Sequence, residues 1–238
     1  MDKAENVGGR ALSYVQTVRW TAGKRRHNVF RKLSSTPHSH ADVRYRADIT
    51  AGSLKVAESR RVAELLLKGV DDTAWKRAIV DDNILQARNP ESAKRLARLI
   101  RARLEPLGPE LWRLVRDGKG PVATHAVFSA AVKHSALLGD FLGMVVAEQY
   151  RMFAKALSNK LFDDYLEGCR VRDPNMPDWN ESTRRRLRSS VFQMLAQAGY
   201  LKDTRSLKLL QVHVAEPVLW LLKDRGETYV LRCLAASP

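Results

Sequence analysis

The sequence predicts a mostly α protein: a helix-turn-helix unit, a helical middle, and a C-terminal winged-helix-like unit with a small β wing. Three observations predict it. Apolar residues keep helical spacing through most of the chain after Tyr45. Caps and breakers cut these runs at short intervals, and two arginine-dense helices stand in the outer parts of the chain. The expected units are a basic N-terminal extension (1–44), a helical helix-turn-helix-like domain (45–117), a helical middle or linker (118–177) and a winged-helix-like domain (178–238).

Residues 1–44 are broken by Gly8-Gly9, Gly23 and the run Ser34 to His40, and charged by Lys24-Arg25-Arg26 and Arg31-Lys32. They read either as a poorly ordered extension or as a basic arm that settles along phosphates. Ser53 is the expected N-cap of a first helix, with Leu54, Ala57, Val62, Leu65 and Leu66 in register until Gly69 ends it. Asp71-Asp72-Thr73 opens a second helix through Trp75, Ile79 and Val80, its acids suited to the positive N-terminal dipole. Asn89-Pro90-Glu91 opens a third, with Asn as cap and Pro at the first helical position, and Pro106 and Gly108-Pro109 stop it.

Leu111, Trp112, Leu114 and Val115 form an amphipathic segment before the turn Gly118 to Pro121. Two longer helices are expected at about 122–137 and 139–167, and Asp173 to Pro177 is the clearest linker. The apolar stretch Ala126 to Tyr150 is interrupted by Lys133, His134 and Asp140, so it reads as a buried helix pair and not as a membrane span. Trp179 to Thr183 caps a helix that runs to Ala198, with Gly199 as its stop and Leu187, Val191, Met194, Leu195 and Ala198 as its core stripe. Tyr200 to Arg205 and a short strand within Leu207 to Val214 supply the expected wing, and Glu216-Pro217 starts a last helix.

The net charge of +15 is unevenly placed. Residues 1–44 carry 9 basic and 3 acidic groups and residues 181–238 carry 10 and 5, whereas residues 111–180 are nearly balanced with 9 and 8. Lumped positive charge favours a polyanionic partner. In the third helix Lys94, Arg98 and Arg101 fall on one face with Arg95 at its edge, opposite Ala93, Leu96, Ala97, Leu99 and Ile100. In the later helix Arg184, Arg185, Arg186 and Arg188 crowd the first turns. There Arg185, Ser189 and Gln193 lie opposite the core stripe, with Arg186 nearby, and Lys202 and Arg205 follow in the wing. These residues are the candidate contacts to double-stranded DNA, the arginines meeting phosphates and Ser92, Ser189 and Gln193 adding hydrogen bonds. Such runs also occur as plain solvated surfaces, and Arg95 or Arg103 has Glu91 or Glu105 within pairing distance on the helix.

Catalysis finds no foothold. The pairs Asp71-Asp72, Asp81-Asp82 and Asp163-Asp164 put adjacent carboxylates about 100° apart on a helix, unsuited to sharing a metal. The six histidines lack ligand spacing, and Cys169 and Cys233 are far apart, which suits a reduced, cytoplasmic setting. Met1 to Arg10 is polar with no apolar stretch after it, so no signal peptide is expected. No cofactor, metal, small-molecule substrate or membrane is expected.

Tyr45-Arg46-Ala47-Asp48-Ile49-Thr50-Ala51-Gly52-Ser53-Leu54 followed by Glu58-Ser59 resembles the opening of the BrxA proteins of bacteriophage exclusion (BREX) systems. The resemblance continues through Trp75, Asn83, Leu85, Ser92-Ala93, Arg95 and Arg101-Ala102-Arg103-Leu104. It resumes at Trp179, Thr183, Leu195 and Ala198-Gly199-Tyr200-Leu201. It implies a small, all-helical, non-enzymatic antiphage component, likened to the antitermination fold of NusB and associated with duplex DNA. It also implies partners among the other BREX components, a methyltransferase and ATPases. Two other readings stand beside DNA binding: an RNA-binding antitermination-like factor, for which Trp20 and Tyr200 are the basic-flanked aromatics, and a scaffold for other defence subunits.

Overall fold

Arg44 and Tyr45 are fastened by their backbone N–H groups, which donate to the Asp173 carboxylate at 2.9 and 3.1 Å. The fold is that of a computed structural model describing residues 44–49 and 53–237; the N-terminal extension, apart from Arg44, lies outside the described residues. Buried Asp140 accepts four bonds: two from the Arg44 guanidinium at 2.7 and 3.2 Å, one from the Tyr45 hydroxyl at 2.8 Å and one from the Tyr229 hydroxyl at 2.9 Å. A buried carboxylate holds only when so satisfied.

The described chain is mostly helical and contains no sheet. Helix α1 (Val56–Lys68) ends on Gly69 in the left-handed conformation, as expected. Its start differs: the N-cap is Lys55, not Ser53. The Leu54 N–H is held by the distant Gln197 Oε1 at 2.8 Å, so the chain is tied to a later helix before it can coil. Helix α2 (Asp72–Lys76) is capped by Asp71, whose side chain accepts from the Ala74 N–H, and runs into a π-helical turn, Arg77–Asp81. Helix α3 (Pro90–Leu104) has Asn89 as cap and Pro90 in its first turn, and α4 (Gly108–Asp117) follows a 3-10 turn. α1 lies along α4, and α3 packs against α1, the π turn and α5 (Pro121–His134).

Beyond α5, α6 (Ala136–Asp140), the π-helical Phe141–Val146 and α7 (Ala147–Arg151) form one run. Here the expected helix 139–167 breaks. Met152 and Phe153 turn the chain, and residues 155–157 extend against 207–209 before Ser158 caps α8 (Asn159–Arg172). The bonds that hold the break run from the Leu157 N–H to the Leu207 carbonyl at 2.9 Å and from the Leu209 N–H to the Lys155 carbonyl at 3.0 Å. Backbone captured in this way cannot also serve an α-helix. The segment Asp173 to Pro177 is packed down, with Asp173 and Met176 buried. Helices α9 (Glu181–Gln197), α10 (Glu216–Asp224) and α11 (Thr228–Leu234) complete the chain, the last not anticipated from sequence.

The expected strand within Leu207 to Val214 is replaced by isolated antiparallel bridges, Ala156 with Lys208 and Leu201 with Leu209. Only the stretch from Leu207 to Leu210 bonds to neighbouring backbone on both sides, too short for a ladder. The core runs from Tyr45 to Ala236, and Phe141, Phe162, Tyr165 and Phe192 cluster at its centre with ring centroids 5.2–6.2 Å apart. Each such ring stabilises the fold by about 1.5–3 kcal/mol through burial, and together they fix α9 against α8. Among the described residues no single helix is long and apolar enough to cross a membrane; α5 and the α6–α7 run together carry the composition but bend by 106°.

Candidate nucleic-acid interface

The core fixes which arginines of α9 face outward. Leu187, Val191, Met194, Leu195 and Ala198 are buried as expected, and Phe192 joins them. Arg185, Arg186, Ser189 and Gln193 are exposed on the other side. Arg184 and Arg188 sit at the margin of the buried stripe and turn to α8. Arg184 pairs with Glu167, and Arg188 Nη1 bonds both oxygens of Asp163 at 2.7 and 2.8 Å, leaving its side chain 17% exposed. Arg185 is 69% exposed and meets only Glu181, at 3.8 Å on its own helix. Arg186 has no ion pair among the described residues. The four arginines thus divide into two ties to α8 and two outward charges.

Beside them the chain builds a paired loop. The Lys202 N–H donates to the Lys208 carbonyl at 2.9 Å and the Leu210 N–H to the Tyr200 carbonyl at 3.0 Å. Asp203 closes the intervening turn by accepting from Arg205 N, Ser206 N and Ser206 Oγ at 2.6–2.9 Å. Backbone donors aimed at this carboxylate hold it below the usual aspartate range. Lys202 and Arg205 are exposed at the loop. Asn159 at the start of α8, Arg185, Arg188, Ser189 and Phe192 of α9, and Thr204 of the loop line a shallow cleft of about 220 Å³. Here the structure gathers expected α9 residues beside the expected wing.

Helix α3 presents its charges differently. Lys94, Arg98 and Arg101, with Ala97, form one wall of a pocket of about 310 Å³, and Trp75, Lys76, Ile79 and Val80 form the other. The Arg101 guanidinium lies 4.8 Å from the centre of the Trp75 ring, and its Nε donates to Glu105 at 2.6 Å. Lys94 reaches Glu91 at 2.8 Å, and its ammonium draws that carboxyl below its ordinary range. Arg95 lies outside the pocket, its Nη2 reaching Ser92 Oγ at 3.5 Å and its charge acting on Glu91 only at longer range. Arg98 and Lys76 have no ion pair among the described residues. The pairs expected of α3 therefore form through Lys94 and Arg101, not through Arg95 or Arg103.

Arg103 is the surprise of this helix. It is 2% exposed, Nε and Nη2 lack partners, and Nη1 only approaches the Ser53 carbonyl at 3.5 Å. Burial pushes its pKa down to about 10, against the pull of Asp48. Asp48 accepts from Ser135 Oγ at 2.7 Å and is raised by burial.

Of the two aromatics expected as base platforms, Tyr200 is wholly buried, its hydroxyl donating to the Leu234 carbonyl at 2.9 Å, and Trp20 lies outside the described residues. Burial takes Tyr200 out of that role. Half-buried Trp75, faced by Lys76 and Arg101, is a basic-flanked aromatic that sequence reasoning did not treat as a contact. Among the described residues no His, Cys, Asp or Glu cluster could hold a metal, and burial raises both thiols, Cys233 to about 11.

A family model described as BrxA matches residues 43–226. A "BREX protein BrxA" of Paramagnetospirillum magneticum is 50% identical over 197 residues, spanning 83% of this chain and 99% of the relative. One from Escherichia coli O9:H4 is 31% identical over 187 residues, 79% of this chain and 88% of the relative. A crystal structure of a protein from Magnetospirillum magneticum is 48% identical, with a TM-score of 0.76, covering 82% of this chain and all of that one.

Proposed function

The chain belongs to the BrxA family, and from that premise we propose that it is a non-enzymatic accessory component of a BREX system that grips double-stranded DNA through phosphates. The observation that carries the reading is the meeting of α8, α9 and the 202–206 loop around one basic cleft. Extended 155–157, α8, α9, and the pair 200–202 with 207–210 follow one another in the order of a winged helix, with α9 as the recognition helix and the loop as the wing. Isolated bridges in place of strands make this a minimal wing.

In this reading Arg185, Arg186, Lys202 and Arg205 meet phosphates. Ser189 and Gln193 hydrogen-bond bases or backbone, and Arg184 and Arg188 hold α9 at its angle on α8. A surface of this kind binds any sequence and weakens steeply with salt. Titration of a random-sequence duplex across a salt series, with K202A/R205A beside the parent, tests it. Binding that weakens with salt, and a slope about two units shallower in the variant, is expected. Salt-insensitive binding, or an unchanged slope, overturns it.

A further inference from the structure

The pocket between α2 and α3 has the features of a receptor for one unstacked base. We propose that it takes a single nucleotide of a nucleic-acid strand, the base over the apolar floor and its phosphates at the rim. The floor is Trp75, Ile79, Val80 and Ala97; the rim is Lys76, Lys94, Arg98 and Arg101. A nucleotide combines a flat apolar ring with anionic groups on either side, and the pocket combines the complementary parts in the same order. The Arg101 guanidinium over the Trp75 ring makes a mixed cation and π surface, and bases stack on both kinds of plane. Lys76 and Arg98 form no close ion pair among the described residues, Arg98 acting on Glu91 only at longer range, so a phosphate would be the first anion in contact with either. Lys94 and Arg101 already spend part of their charge on Glu91 and Glu105.

A pocket of about 310 Å³ matches one nucleotide and not a paired duplex, whose bases stay stacked inside the helix. An acidic peptide would satisfy the rim but leave the stacked plane without a flat partner. The inference rests on the nucleic-acid reading only for its choice of polymer. It makes no use of α9 or the 202–206 loop.

The test is tryptophan fluorescence of the whole chain titrated with oligothymidylate, and with a duplex of the same length, thymidine monophosphate and a polyglutamate peptide as further arms. The single strand is expected to quench the parent and to leave W75F unquenched. R98E and K76E, both at exposed positions, should weaken single-strand binding roughly tenfold or more while thermal unfolding stays unchanged. R185A/R186A should keep the quench. A variant pair that loses duplex binding but keeps the Trp75 signal therefore separates this site from the α9 surface. Equal quenching by the duplex, binding of the monophosphate as tight as the strand, a response to polyglutamate instead, or an undiminished quench in W75F each overturns the proposal.

Discussion

Helices α3 and α9 carry similar arginine runs and use them in opposite ways. On α9 the inward pair, Arg184 and Arg188, ties the helix to Glu167 and Asp163 of α8, and the outward pair, Arg185 and Arg186, is exposed to solvent. On α3 one arginine, Arg103, goes into the core without a good partner, while Arg98 and Arg101 line a concave pocket against Trp75 and Arg95 lies outside it. Residue type alone does not separate an interface from a structural tie. What a guanidinium does is set by its angle on the helix and by the element that faces it.

The largest contrast should appear in stability. R103A removes a fully buried side chain and is expected to cost about 2–4 kcal/mol in urea unfolding, whereas R98A should stay within about 0.5 kcal/mol. Equal losses at the two positions would erase the distinction drawn on α3. On α9, R188A leaves Asp163 without its partner and should cost about 1 kcal/mol, discounted because that carboxylate is 40% exposed. R185A should be close to neutral by the same measurement.

A smaller effect concerns pH. His125 is buried, accepts the Ala215 N–H on Nδ1 at 2.9 Å and donates to the Ala198 carbonyl, so the fold holds it neutral and its pKa lies below the ordinary value. The unfolded chain then binds more protons in the window beneath the ordinary histidine value, and stability falls as pH drops through it. The urea midpoint should be lower at about pH 5.5 than at about pH 7.5, and H125Q should shrink the difference. His134, also lowered by burial, adds to the same trend. A midpoint that rises on acidification contradicts this assignment.

Much of this contrast was legible in the sequence, some of it only in retrospect. The caps Asp71, Asn89 and Asn180 are local, satisfied within a turn, and fixed their helices correctly. The core stripe of α9 likewise follows from periodicity. Arg103 sits seven residues after Leu96, about 20° away on a helical wheel. Its burial was therefore implied by the same arithmetic that placed the outward face, yet its charge argued the other way. Arg184 and Arg188 sit beside Leu187 and Leu195 on that wheel, which sets them apart from Arg185 and Arg186.

Other features depend on distant partners and carry no local signal. The pairing of 155–157 with 207–209 broke an expected helix because Leu157 and Leu207 are fifty residues apart in sequence. The Trp75 and Arg101 stack needs α2 and α3 to cross at that point. The Ser158 side chain caps α8 there, a local signal that the expected helix 139–167 ran straight through.

The measurement that bears most directly on the division of the α9 arginines is the salt dependence of duplex affinity in two matched double variants, R185A/R186A and R184A/R188A. The account predicts that the first lowers the slope of log affinity against log salt by about two units and leaves stability nearly intact. The second should lower stability with a smaller change in slope. A first variant with the parent's slope, or a second that loses the larger share, would contradict it.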